Sequence, residues 1–200
     1  MAITKANILT RVNTRLQTAY AVGEIEAQIQ EILDDLSEED LLTGTDPDQE
    51  LESGDKTLNE PTGYRALVNI VLTLTDSGSE QIPLIPLSGG HKQYRELRHN
   101  DNSLGIPRWF SRFNGKFYLW RPANQDCTVL IEYYKNHAQN VDTIEFDEAK
   151  FKNAIYAGVT WKMALEAGRT RMIAQWAAIY YDAKQKRINS TVFPPRITRG

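Results

Sequence analysis

One cysteine, Cys127, stands in a chain of 200 residues. A single thiol excludes an internal disulfide framework and suits a reducing compartment. Cys127 itself reads as a small residue of a strand. No apolar run approaches the roughly 20 residues that span a bilayer, so no membrane partner is expected. The opening "MAITKANILTRVN" has no apolar h-region, so no signal peptide is expected. The three histidines, His91, His99 and His137, are not spaced at i, i+4, and none adjoins Cys127. That spacing gives no zinc pattern. "ELRH" is a single Glu-x-x-His, where a di-iron bundle needs two. "PLSGGHK" is glycine-rich but lacks the Lys-Ser/Thr of a phosphate-binding loop. No Gly-x-Ser-x-Gly occurs, and the histidines offer no triad signature. The reading is therefore no enzyme, with no catalytic residue, no cofactor and no metal.

Charge is unevenly spread. The net charge is −3, yet residues 24–60 hold fourteen Asp/Glu against Lys56 alone. Residues 184–200 hold Lys184, Lys186, Arg187, Arg196 and Arg199 and no acid. An acidic first third and a basic end suggest partners or self-assembly through unlike faces. A solvated helix face followed by an acidic loop is the blander account.

Hydrophobic period organises the rest. Ile8, Leu9, Val12, Leu16 and Ala19 predict a helix over 4–20. Ile25, Ile29, Ile32, Leu33 and Leu36 predict a second over 23–41, with a strongly acidic back. Residues 43–61 are acidic and broken by Gly and Pro, which predicts a mobile loop. Asp46, Asp48 and Glu50 alternate like a calcium loop, but Leu51 and Thr57 stand where that loop needs Gly and Glu. Residues 64–75, 80–87 and 127–136 read as strands, the second confined to an edge or interrupted by Pro83 and Pro86. "YRELRH" reads as one helical turn. Asp147 is placed to cap a helix to about Ala167, with Phe151, Ile155, Gly158, Val159 and Leu165 inward and Gly168 as its stop. Thr170 opens the last helix, with Met172, Ile173, Trp176, Ala177, Ile179 and Tyr180 apolar. The predicted fold is α+β: a four-helix bundle with a small antiparallel β-sheet or sandwich insert between the second and third helices, then an extended C-terminal tail. The expected domains are 1–62 with 140–187 for the bundle, 63–139 for the insert and 188–200 for the tail.

The segment "PRWFSRFNGKFYLWRP" concentrates six aromatic rings around Asn114-Gly115, the strongest short hairpin signal. A two-residue turn there sets Phe113 opposite Lys116, Phe110 opposite Leu119 and Trp109 opposite Trp120. One face then carries Trp109, Trp120, Tyr118 and Phe113, and the other Phe110, Leu119 and Phe117. Both faces are apolar, so one covers the insert's own core and the other must meet a neighbouring subunit, the bundle or a ligand. Trp109, Phe110, Phe113, Phe117, Tyr118 and Trp120 are accordingly expected in the insert core or at a subunit contact. The alternative is a carbohydrate-binding β module using surface aromatics. Single-strand nucleic-acid stacking has weak support from the surrounding arginines and is opposed by the overall acidity.

The order of elements resembles the head-to-tail adaptor (head completion, neck or connector) proteins of tailed bacteriophages and gene-transfer agents. The resemblance is carried by "IPLIPL", "YRELRH", "GIPRWFSRFNGKFYLWRPANQDCTVLIEYYKN", "TIEFD", "KFKNAIYAGVTWKMALEAG" and "QWAAIYYDA", with "ILTRVNTRLQ" at the start. The long acidic stretch 43–61 departs from it. The resemblance implies a structural virion protein of the neck, made in the host cytoplasm. It implies a homo-oligomeric ring, typically a dodecamer, that joins the portal protein to a tail or nozzle protein. Such a ring extends the channel through which double-stranded DNA passes without specific binding. It also implies a portal-docking tail, here with Ile188, Val192, Phe193, Arg196, Ile197 and Arg199. Because channel carboxylates repel phosphate, Glu24, Glu31, Asp34, Asp35, Glu38 and Glu39 are expected at the lumen or a subunit seam.

Overall fold

A computed structural model describes residues 2–39, 41–75, 80–101, 103–139 and 142–192. In chain order the elements are α1 (Lys5–Leu16), α2 (Val22–Glu38), β1 (Thr43–Leu51), β2 (Thr57–Asn59), β3 (Tyr64–Leu74), β4 (Gln81–Pro83) and β5 (Ile85–Pro86). Then follow α3 (Gly90–Asn100), β6 (Trp109–Phe113), β7 (Lys116–Trp120), β8 (Cys127–Lys135), α4 (Glu148–Glu166) and α5 (Thr170–Val192). They divide into two compact units, 1–42 with 136–200 and 43–135.

The first unit is helical. Thr4 caps α1 through its hydroxyl oxygen, which accepts from the Asn7 N–H, and Asp147 caps α4 by accepting from the Ala149 N–H. Arg169 donates to the Leu16 carbonyl, satisfying one of the orphan acceptors at the end of α1. The stripes of α1 and α2 are buried as their spacing predicts: Ile8, Val12 and Leu16, then Ile25, Ile29, Ile32, Leu33 and Leu36. α4 packs against α1, α2 and α5 and is buried on most of its circumference, so its apolar residues show no single stripe. Gly158 makes that possible. A Cβ at this position would lie 2.8 Å from Ile32 Cδ1 and 2.9 Å from Tyr180 Cδ2.

The second unit is a β-sandwich. One sheet has strand order β1-β8-β3-β4 and the other β2-β7-β6-β5. Leu51, Ile70, Leu72, Val129 and Ile131 of the first sheet share one core with Leu58, Phe110, Phe117 and Leu119 of the second. Pairing is antiparallel except for the short parallel pair β5·β6. The chain crosses between sheets at buried Leu84, which separates β4 from β5. β1 and β8 are paired so that Thr43 lies opposite Tyr134, near both ends of the unit.

The expected fold class does not hold. Among the described residues there are five helices and eight strands in two four-stranded sheets, not a four-helix bundle with a small sheet insert. The expected mobile loop contains β1 and β2. β1 is an edge strand with exposed polar residues, and it takes Pro47 into an irregularity between Asp46 and Gln49. The expected single helical turn is the eleven-residue α3. Its one buried side chain, Tyr94, leaves no apolar stripe to see. The tail expected to be extended from 188 begins instead as the end of α5. Leu165, expected inward, is exposed at 52%.

Candidate functional site

The described residues hold no group of three or more His, Cys, Asp or Glu that could bind a metal ion. His137 is a structural linker. Its backbone N–H donates to Ser37 Oγ at 3.1 Å, and its Nε2 accepts from the Glu145 N–H at 3.1 Å.

The aromatic hairpin takes the register its turn dictates: Trp109 opposite Trp120, Phe110 opposite Leu119 and Phe113 opposite Lys116. Asn114 and Gly115 sit at φ 48° and 72°, the left-handed values such a turn requires. Phe110, Phe117 and Leu119 point into the sandwich. Much of the opposite face is covered by α3 of the same unit. His91 stacks on Phe113 at 4.4 Å and lies edge-on to Tyr118 at 4.8 Å, and its Nδ1 is 3.1 Å from the buried Ser111 hydroxyl. Tyr94 meets Tyr118 at 5.4 Å. Beyond α3 the Trp109–Trp120 pair lines an open cleft of about 500 Å³ with Ile106, Arg108, Arg121 and Asn124. Its rings are 5.3 Å apart and tilted by 51°, so they do not form one flat platform for a sugar.

The acidic face of α2 is partly neutralised within its own unit. Glu31 is paired with Lys162 of α4. Asp35 receives Lys184 of α5 at 2.8 and 2.9 Å and also the Tyr180 hydroxyl, while Glu39 lies 3.0 Å from the same lysine. Burial pulls the Lys184 ammonium down, but hydrogen bonds and charge from Asp35 and Glu39 outweigh it and hold its pKa above the ordinary value. Burial, reinforced by the hydrogen bond to Asp35, pushes the Tyr180 phenol well above its ordinary range. Glu24 is committed locally, accepting from the Ala21 N–H at 2.6 Å as a capping-box residue would. Asp34 accepts from Gln30 Nε2 at 2.8 Å and has no ion pair among the described residues, and Glu38 is exposed. The pairing of Lys162 and Lys184 with α2 was invisible to local sequence reading, because the partners lie more than a hundred positions away.

The family profile of the SU10 adaptor protein matches residues 3–199, nearly the whole chain. This chain belongs to the SU10 adaptor protein family. Comparison with curated proteins gives no match. The membership bears out the resemblance to tailed-phage head-to-tail adaptors and makes the chain a phage adaptor, a virion component that assembles with other virion proteins. No described helix is long and apolar enough to cross a membrane. Of the six tail residues singled out in this adaptor, Ile188 is on α5 and packs partly buried against the helical core. Val192 is the last residue of α5. Phe193, Arg196, Ile197 and Arg199 lie outside the described residues.

Proposed function

We propose that this SU10-family adaptor is a non-enzymatic subunit of a dodecameric ring that joins the portal to the tail or nozzle and extends the DNA channel. The observation that carries the reading is the family match over residues 3–199, nearly the whole chain. Two features of the molecule support it. Among the described residues the α2 face keeps Asp34 and Glu38 without an ion pair even after Lys162 and Lys184 have paired with their neighbours. Such a face, at the lumen or a seam, repels phosphate rather than holding it. The basic end of the chain, with Arg196 and Arg199, follows directly on α5 and suits docking into a groove on the portal.

Electron microscopy of the full-length adaptor mixed with its portal tests the reading. A ring seated on the portal is expected, with Glu24, Asp34 and Glu38 facing the channel or the subunit seam. A chain ending at Val192 keeps Ile188 in the helical core and is expected to fold normally yet lose portal binding. No complex with the portal, or a ring carrying those three carboxylates on its outer rim, would overturn the corresponding part.

A further inference from the structure

The β-sandwich unit is electrically lopsided. Residues 43–60 carry six carboxylates against Lys56, a net −5, whereas residues 91–121 carry seven Lys/Arg against Glu96 and Asp101, a net +5. Internal pairs consume only part of this, Arg112 with Glu60 and Arg121 with Asp101. Lys92 and Arg95 are exposed and have no ion pair among the described residues. The reason is helical spacing. His91 and Tyr94 face the hairpin, which turns positions 92, 95 and 99 outward on α3. Together with Phe113, 53% exposed, and Glu96 they line a groove of about 710 Å³ with an apolar end and a rim on which two cations outnumber one carboxylate.

The acidic counterpart lies on a different surface of the same unit. β1 is the outer strand of its sheet, with Pro47 and Glu50 exposed and the exposed Glu52 just past its end. Glu50 and Glu52 border a cleft of about 420 Å³ that also receives Asp126. Pro47 and the register break beside it oppose main-chain strand addition, so a partner meets β1 through side chains. An exposed proline flanked by carboxylates matches an exposed phenylalanine flanked by cations.

We propose that the α3 groove of one copy receives the acidic β1 edge, residues 45–52, of a second copy. The two surfaces are unlike, so the contact is heterologous and propagates from copy to copy until it closes. The inference rests on the ring reading above, which requires such a pair of surfaces on every subunit, and it names them.

The test uses full-length protein at low salt. Isotope-labelled and unlabelled chains are mixed, joined with a zero-length carbodiimide cross-linker and mapped by mass spectrometry. Cross-links between labelled and unlabelled copies are expected from Lys92 to Glu50 or Glu52. In sedimentation velocity, K92E/R95E and E50K/E52K are each expected to weaken self-association about tenfold or more, as reversed charges at a docking surface do. An equimolar mixture of the two variants is expected to recover to within about threefold of the wild type, since each reversed groove then meets a reversed edge. Circular dichroism checks that both variants fold. A chain that stays monomeric at every soluble concentration overturns the proposal. So do cross-links elsewhere with no effect of the reversals, an outcome that leaves the ring reading to its own microscopy. Salt-sensitive binding of a double-stranded oligonucleotide that K92E/R95E abolishes, with self-association unchanged, overturns it in favour of nucleic acid.

Discussion

Tyr180 ties the stability of the helical unit to alkaline pH. Its side chain is 1% exposed, and its hydroxyl donates to Asp35, which also binds Lys184. In the unfolded chain a tyrosine ionises at about pH 10. In the folded chain burial and the Asp35 carboxylate keep the proton on. The sign follows from linkage: a group whose folded pKa is raised contributes fully below its unfolded pKa and loses that contribution as pH rises. Once the unfolded phenol ionises and the folded one does not, the loss is about 1.4 kcal/mol for each pH unit. Between roughly pH 10 and 11.5 this group alone removes about 2 kcal/mol. Lys184, also held above its ordinary value, loses its contribution in the same direction at high pH. Tyr180→Phe removes a hydrogen bond to a charged acceptor, a cost of about 1.5–3 kcal/mol at neutral pH. It also removes the titration. Equilibrium urea unfolding followed by helical circular dichroism from about pH 8 to 11.5 is therefore expected to give two curves that converge as pH rises. Stabilities of the wild type and the Tyr180→Phe variant that fall in parallel would refute the reasoning.

Other substitutions probe the packing. Gly158→Ala gains roughly 1 kcal/mol of helix propensity but forces its methyl against Ile32 and Tyr180, for a net loss of up to about 2 kcal/mol. Adding Ile32→Val removes the nearest atom, and denaturation of the double variant is expected to show at least about 0.5 kcal/mol less loss than the sum of the singles. Phe117→Ala, at a fully buried ring of the sandwich, is expected to cost about 3–5 kcal/mol. Phe113→Ala, at a half-exposed one, is expected to cost under about 1 kcal/mol in the same melt. Asp147→Ala removes the α4 cap and lowers stability by about 1 kcal/mol, read from the shift in the urea midpoint.

What was legible in the sequence was whatever is written locally. The Asn114-Gly115 turn fixed the hairpin register, because few other pairs accept two successive positive φ angles. The three- and four-residue spacing of isoleucines and leucines marked α1 and α2. β1 was hidden because an edge strand facing water spends its residues on charge, and Thr-Asp-Pro-Asp-Gln-Glu reads as a loop. Only one turn of α3 was legible, because covering an aromatic hairpin needs only His91 and Tyr94, too few to make a period. The acidic face of α2 was visible as charge. Its neutralisation was not, since Lys162 and Lys184 arrive from helices that fold beside it from the far end of the chain.

The pairing of Thr43 with Tyr134 has an evolutionary side. The sandwich leaves and rejoins the rest of the chain through two neighbouring antiparallel strands, whose ends stand about 5 Å apart. A segment attached by such a two-stranded stem is an insertion that can be lengthened, exchanged or deleted by recombination at a single point. A few residues of linker between positions 42 and 136 suffice to close the gap, and the excised sandwich keeps both edges of its first sheet.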